Sequence, residues 1–269
     1  MLSAQDPLSS IKVDTERPNA ARVYDYILGG GANFAVDREL AERVLAAMPR
    51  IGTTARMNRH LLQRAVRVMS SFGIDQFLDL GSGIPTSGNV HEVAQEINPD
   101  ARVVYVDNEA VAVAHSESLL AGNPNAEIVN ADASRPGDVL GHPKTQALLD
   151  FDRPVGLIMC TLLHFVGDQA EPKRVVAAYR DAMPSGSYVM ISHGTLDNSP
   201  EMGDIAASYA NTPYPITLRD KAQVQEFFEG FEMVEPGLVP LPLWRPEDPA
   251  HIGEEPERMG AYAGMGVKP

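Results

Sequence analysis

The chain has 269 residues, 44% hydrophobic and 22% charged, a composition that supplies a substantial core and excludes a disordered polymer. Its 22 Lys+Arg against 36 Asp+Glu leave a net charge of −14, which argues against a protein that coats nucleic acid, because phosphate contacts need clustered cations. The lone Cys160 excludes an internal disulfide, the seven histidines are scattered singly rather than at metal-ligand spacing, and no apolar run approaches a membrane span of about 18 residues; a cytoplasmic protein without a membrane partner is expected.

Residues 1–18 carry Pro7 and Pro18 with little apolar periodicity and read as a draped arm. Val23, Ile27 and Leu28 mark a helix that ends at Gly29–Gly31, where positive φ or close backbone approach is available. Residues 37–48 and 53–70 show helical spacing. In the second, Met57, Leu61, Leu62, Ala65, Val66 and Met69 share a face, Thr53 or Thr54 can cap the start, and Gly73 follows the end. The first 75 residues balance at +2 against −16 for the remainder, and their cations concentrate here as Arg50, Arg56, Arg59, Arg64 and Arg67. These arginines form either a solvated face or, for one or two of them, a fork for a ligand carboxylate.

From residue 76 the pattern changes. Strand-like runs at Gln76–Leu80, Arg102–Val106, Ala126–Val129, Val155–Cys160 and Tyr188–Ser192 alternate with helical segments at Val90–Ile97, Ala110–Leu120 and Arg174–Met183. That alternation predicts an α/β protein with a Rossmann-like, mostly parallel sheet whose strand C-terminal ends share one edge. Thr195–Thr217 is poorly patterned and Arg219–Phe228 is helical. Phe231–Leu243 and Ala261–Lys268 then close the chain as an antiparallel hairpin at the sheet edge, around the acidic stretch Pro246–Arg258. One domain is the simpler count, with an N-terminal arm and helical cap over 1–72 on a core over 73–269.

The strongest local signal is Asp79-Leu80-Gly81-Ser82-Gly83, between a strand and a helix. A Gly-x-Gly turn lets backbone N–H groups and a helix N-terminus approach a ligand, as dinucleotides and S-adenosylmethionine both require. Thr86 stands where the dinucleotide fingerprint has its third glycine, which weakens a nicotinamide reading. The second strand ends at Asp107-Asn108, where a carboxylate can accept from a ribose diol. The third ends at Asp132-Ala133 and the fourth at Thr161, with His164 beyond. Four consecutive strands thus end in polar residues at one edge, the pattern of a nucleoside-ligand site.

On these residues the sequence resembles the class I S-adenosylmethionine-dependent methyltransferases. The resemblance implies that Asp79, Gly81, Ser82 and Gly83 form their first motif, Asp107 their ribose acid and Asp132-Ala133 their adenine pair. A narrower match lies upstream. Arg17-Pro18-Asn19-Ala20-Ala21-Arg22-Val23-Tyr24-Asp25-Tyr26-Ile27-Leu28-Gly29-Gly30-Gly31, Asn33-Phe34, Asp37-Arg38-Glu39 and Arg56-Met57-Asn58-Arg59 are similar to an actinobacterial S-adenosyl methyltransferase family formerly catalogued as a domain of unknown function. It implies S-adenosylmethionine as cofactor and leaves the acceptor open.

The N-terminal signature has two readings, a helix C-cap with packed tyrosines or a lid. In the lid, Tyr24 and Gly30 cross the sheet edge above the sulfonium and Arg56 or Arg59 holds the methionine carboxylate. Methyl transfer is an in-line displacement that needs alignment and, for hydroxyl, phenol or carbon acceptors, a base. His164 is the first candidate and His193 the second; for each, packing is the alternative. Tyr209 and Tyr214 read as packing residues of an acceptor-binding insertion, and Cys160 as a buried strand end. With no basic groove, a small-molecule acceptor is expected; the sequence carries no signal of oligomeric state. Two rivals remain, a nicotinamide-dependent oxidoreductase and a regulatory protein that binds the cofactor without an acceptor cavity.

Overall fold

Every residue of β1 (Gln76–Leu80) and β4 (Gly156–Cys160) is buried, as expected of strands covered on both faces. In the computed structural model, which describes residues 13–248 and 252–269, these two strands pair in parallel at the centre of an eight-stranded sheet. Outward from β1 lie β2 (Arg102–Asp107) and β3 (Ala126–Asn130); outward from β4 lies β5 (Tyr188–Gly194), and all five are parallel. The reversed strand β8 (Ala261–Val267) pairs with β5 on one side and with two short strands, β6 (Glu232–Met233) and β7 (Val239–Pro240), on the other. The expected Rossmann-like, mostly parallel sheet with an antiparallel closure is therefore present.

The twofold alternation of the strands divides the core. Phe77, Val103, Tyr105 and Ile158 face α3 (Ile51–Ser71) and α4 (Val90–Ile97), whereas Leu78, Val104, Val106 and Leu157 face α8 (Pro172–Ala182). Helix α3 contributes Leu61, Leu62, Ala65, Val66 and Met69, the face its spacing predicted. Asp79 shares the face of Phe77, which turns its carboxylate toward α3. Helix α5 (Ala110–Leu120) crosses between β2 and β3.

A second core forms above the strand ends. Val23 of α1 (Ala20–Ile27), Leu40, Ala41 and Val44 of α2 (Ala35–Ala47) and Met48 pack with Met202, Ile205 and Tyr209 of α9 (Met202–Tyr209). The poorly patterned stretch 195–217 thus folds onto the N-terminal helices. At the end of α1, Gly29 takes φ +88°, and a Cβ on Gly30 would lie 2.0 Å from Asp25 Oδ1. That carboxylate accepts from Ala32 N at 2.8 Å and Asn33 Nδ2 at 2.8 Å, so the glycines let Asp25 staple the turn.

Several boundaries differ from the sequence reading. Helix α3 starts at Ile51, and Thr54 Oγ1 donates to Met259 O at 3.1 Å instead of capping. Two short helices, α6 (Pro136–Leu140) and α7 (Pro143–Leu148), open on prolines and were not anticipated. Helix α10 (Lys221–Gln225) gives way to a 3₁₀ turn at Glu226–Phe228. Phe231–Leu243 is two two-residue strands rather than one, because Pro236, Pro240 and Pro242 cannot donate to a continuous ladder. Of the expected arm, residues 1–12 lie outside the described residues. Among the described residues, no helix is long and apolar enough to cross a membrane.

Arg22 ties the upper core to the sheet. Its side chain is 1% exposed; Nε donates to Asp37 Oδ2 at 2.8 Å and Nη1 to Glu109 Oε1 at 2.7 Å, while Nη2 donates to the carbonyls of Asp14 and Arg17. Asp37 also accepts from the backbone N–H groups of Asn19 and Phe34. Replacing Arg22 by alanine strands two carboxylates in the interior. Arg22→Ala should lower the urea-unfolding free energy by about 3–5 kcal/mol; a loss under about 1 kcal/mol would show that the upper core does not rest on this network.

Candidate functional site

The C-terminal ends of β1 to β4 open into one cavity of ≈ 420 Å³, within the range of small-molecule sites. Its floor begins at Asp79, Gly81, Ser82 and Gly83, with φ +69° at Gly81 and +67° at Gly83. The positive φ at Gly81 favours glycine, and a Cβ there would press on the Leu162 side-chain tip at 2.7 Å. Asp107 Oδ2 accepts from Gly83 N at 2.7 Å and Oδ1 from Glu109 N at 2.8 Å, fixing the carboxylate beside the turn. Asn108 is exposed at the rim. Asp132 and Ala133 line the next sector, with Asp132 Oδ1 accepting from Ser134 N and Oγ.

Electrostatics distinguish the acids. Burial pushes the Asp79 carboxyl up to about 7; the Arg59 guanidinium opposes this and the Asp107 carboxylate adds to it. Burial also raises Asp107, but the N–H groups of Glu109 and Gly83 pull it back.

The roof comes from α1 and α3. Tyr24 lines the cavity, donating its hydroxyl to Ala55 O at 3.0 Å, and burial lifts that hydroxyl to about 12. On α3, Ile51, Thr54, Ala55, Asn58, Arg59 and Leu62 line the cavity, a stripe at helical spacing. Arg56 falls off that stripe and reaches Thr53 Oγ1 at 3.3 Å, outside the lining. Gly30 is also outside it, packed on Asp25. Of the two arginines offered for a ligand carboxylate, Arg59 is therefore the one at the cavity. Its Nε and Ser82 Oγ are buried with no hydrogen-bond partner among the described residues.

The ends of β4 and β5 form the far wall. Thr161 holds φ +52°, a conformation that costs a β-branched residue on the order of 1–3 kcal/mol. Its N–H donates to Ser192 O and Oγ, Ser192 Oγ donates to Asn58 Oδ1 at 2.7 Å, and Asn58 Nδ2 reaches the Tyr24 hydroxyl at 3.4 Å. This relay joins the strained strand end to the roof. His164 lines the cavity and its Nδ1 accepts from Gly194 N at 3.4 Å, which leaves the ring proton on Nε2. Burial, with His193 and Arg219 nearby, holds its pKa well below the ordinary value, so the ring is neutral.

His193 is placed differently. It is fully buried and outside the lining; Nδ1 donates to its neighbour's carbonyl, Gly194 O, at 2.7 Å and Nε2 accepts from Arg219 Nη1 at 3.0 Å. Burial lowers its pKa to about 4. With both nitrogens engaged, it positions Arg219, which also donates to Leu163 O, Val166 O and Asp168. Among the described residues, no group of three or more His, Cys, Asp or Glu side chains is arranged to hold a metal.

The sequence matches the model of a family described as S-adenosyl methyltransferase over residues 7–269. A solved DUF574 family protein from Streptomyces avermitilis MA-4680 is 39% identical, with a TM-score of 0.92, covering 96% of this chain and 100% of that one. A candidate methyltransferase from Thermobifida fusca YX is 40% identical, with a TM-score of 0.90 and coverage of 95% and 96%. The N-methyltransferase NodS from Bradyrhizobium japonicum WM9, solved with S-adenosyl-L-homocysteine, is similar in fold alone: 11% identity, a TM-score of 0.51, and coverage of 92% and 99%. No curated protein matches the chain.

The raised pKa of Asp79 sets a pH dependence. A carboxyl whose pKa rises from 3.8 unfolded to about 7 folded leaves stability intact below about pH 4 and reduces it as pH rises toward 7. Asp79→Asn should therefore raise the stability of the ligand-free protein at pH 8, by on the order of 1–4 kcal/mol at about 1.4 per pH unit crossed, and leave it little changed at pH 4. Thermal melts across pH check this, and equal shifts at both pH values would refute it.

Proposed function

The chain belongs to the S-adenosyl methyltransferase family, and from that premise we propose that it transfers a methyl group from S-adenosylmethionine to a small molecule in the cytoplasm. The observation that carries the reading is the continuity of the cavity, in which polar strand ends meet an apolar chamber walled by the cap and the insertion. That chamber disfavours a protein that merely stores the cofactor, which would need no space beyond the sulfur.

The residues fit the cofactor. A buried donor without an acceptor costs about 1–3 kcal/mol, and Arg59 Nε and Ser82 Oγ are two such groups beside the glycine turn. We assign Arg59 and Ser82 to the methionine carboxylate and Asp79 to the ammonium. Asp107 and Asn108 take the ribose hydroxyls, and Asp132 and Ala133 the adenine. Gly81, Gly83 and Thr161 permit close backbone approach, and the Tyr24 ring faces the sulfonium. When bound, the cofactor supplies an electrophilic methyl group. The chain's own residues align the acceptor, and the cap excludes water from it. His164, neutral and carrying its proton on Nε2, offers the acceptor a hydrogen bond and is the catalytic candidate we retain. Gly30, Arg56 and His193 are left to support the scaffold.

Three substitutions test these assignments. Arg59→Ala should weaken S-adenosylhomocysteine binding by more than tenfold in calorimetry, whereas Arg56→Ala should stay within about twofold; the reverse order would return the carboxylate to Arg56. Asp107→Ala should cost about 1.5–3 kcal/mol of affinity, the range for hydrogen bonds to a charged group. Unchanged affinity would remove Asp107 from the ribose site.

A further inference from the structure

The cavity's charge is confined to one end. Among the described residues, its charged lining consists of Asp79, Asp107 and Asp132 at the strand ends and Arg59, which reaches from α3 and acts on Asp79. The chamber beyond is lined by Val44, Ile51, Met202, Ile205, Tyr209 and Ile216. A carboxylate acceptor there would meet no cation and an alkylammonium no anion, and an unpaired buried charge costs several kcal/mol. The acceptor therefore enters uncharged.

A neutral hydroxyl or phenol must lose its proton as its oxygen takes the methyl, and none of His164, His193, Cys160 and Asp107 is placed to receive it. His164 Nδ1 is turned to the Gly194 N–H, and its Nε2 already bears the ring proton. Both His193 nitrogens are engaged, and the Cys160 thiol is pushed up to about 12 by burial. Both Asp107 oxygens accept backbone N–H groups at the cofactor end. A neutral nitrogen needs no base, because its lone pair is free. It also keeps the site's charge constant, since one positive charge moves from sulfur to nitrogen within a cavity whose lining includes the rings of Tyr24 and Phe165.

We propose that the acceptor is a nitrogen compound that is uncharged at neutral pH and has an apolar body, an arylamine or a heteroaromatic base, methylated on that nitrogen. The proposal rests on the methyltransferase reading above. The nitrogen lone pair forms the new N–C bond as the C–S bond breaks, its electron pair passing to sulfur. The products are S-adenosylhomocysteine and a cationic methylated nitrogen, which, where it carries a hydrogen, releases the proton to water on leaving.

Four matched probes test this with the full chain: 4-ethylaniline, 4-ethylphenol, 4-ethylbenzoate and 4-ethylbenzylamine, each at pH 7 with methyl-labelled S-adenosylmethionine. S-adenosylhomocysteine binding is measured by calorimetry in the same preparation. The expected result is label transfer to 4-ethylaniline at least tenfold faster than to the other three. Equal or faster transfer to any of those three overturns the proposal, as does transfer to none of the four while S-adenosylhomocysteine still binds. Failure of S-adenosylhomocysteine to bind contradicts the methyltransferase reading itself.

Discussion

A guanidinium that is 1% exposed has to be fully paired, and the way Arg22 is paired shapes the molecule above the sheet. One carboxylate, Asp37, belongs to the cap; the other, Glu109, follows β2 and lies 87 residues away in sequence. The Glu109 N–H in turn donates to Asp107, and Asp107 accepts from the glycine turn at Gly83. Four links thus run from the cap through the sheet edge to the β1 turn. The cap could swing away only by exposing or orphaning the arginine and its two acids. Roof and floor are for this reason one site, and the same carboxylate that we assign to the ribose is held by the network that seats the roof.

A second relay, from Thr161 through Ser192 and Asn58 to Tyr24, performs a similar task at the opposite wall. It supports a threonine in a left-handed conformation, and strain of that kind persists only where surrounding contacts over-determine it. Between the two relays the polarity is graded. Acids and one arginine collect at the strand ends, and the space toward α2 and α9 is apolar. Of the acids behind the overall charge of −14, Asp79, Asp107 and Asp132 line the cavity at the sheet edge.

Periodicity made the sheet legible. β1, α4 and α5 begin and end where alternation and spacing put them, because strands and helices packed on both sides must show apolar residues at fixed intervals. The glycine turn and the strand-end acids that the same logic singles out line the floor of the cavity. The roof was less legible. Arg56 and Arg59 are three residues apart on one helix, and only the lining stripe through Ile51, Ala55, Asn58, Arg59 and Leu62 separates them. Asn58 lies on the same stripe, inside the longer matched segment Arg56–Arg59. The partnership of Arg22 with Glu109, the engagement of both His193 nitrogens and the docking of α9 on α2 are long-range contacts, and no local pattern encodes them.

We place the nucleoside on the strand ends, the sulfur under Tyr24 and the acceptor in the apolar chamber. A crystal structure of the full chain with S-adenosylhomocysteine measures this directly. Ribose hydroxyls are expected on Asp107, the methionine carboxylate on Arg59 and Ser82, and the sulfur open toward His164 and the chamber between α2 and α9. A cofactor whose own atoms fill that chamber, or whose ribose lies away from Asp107, would contradict this placement.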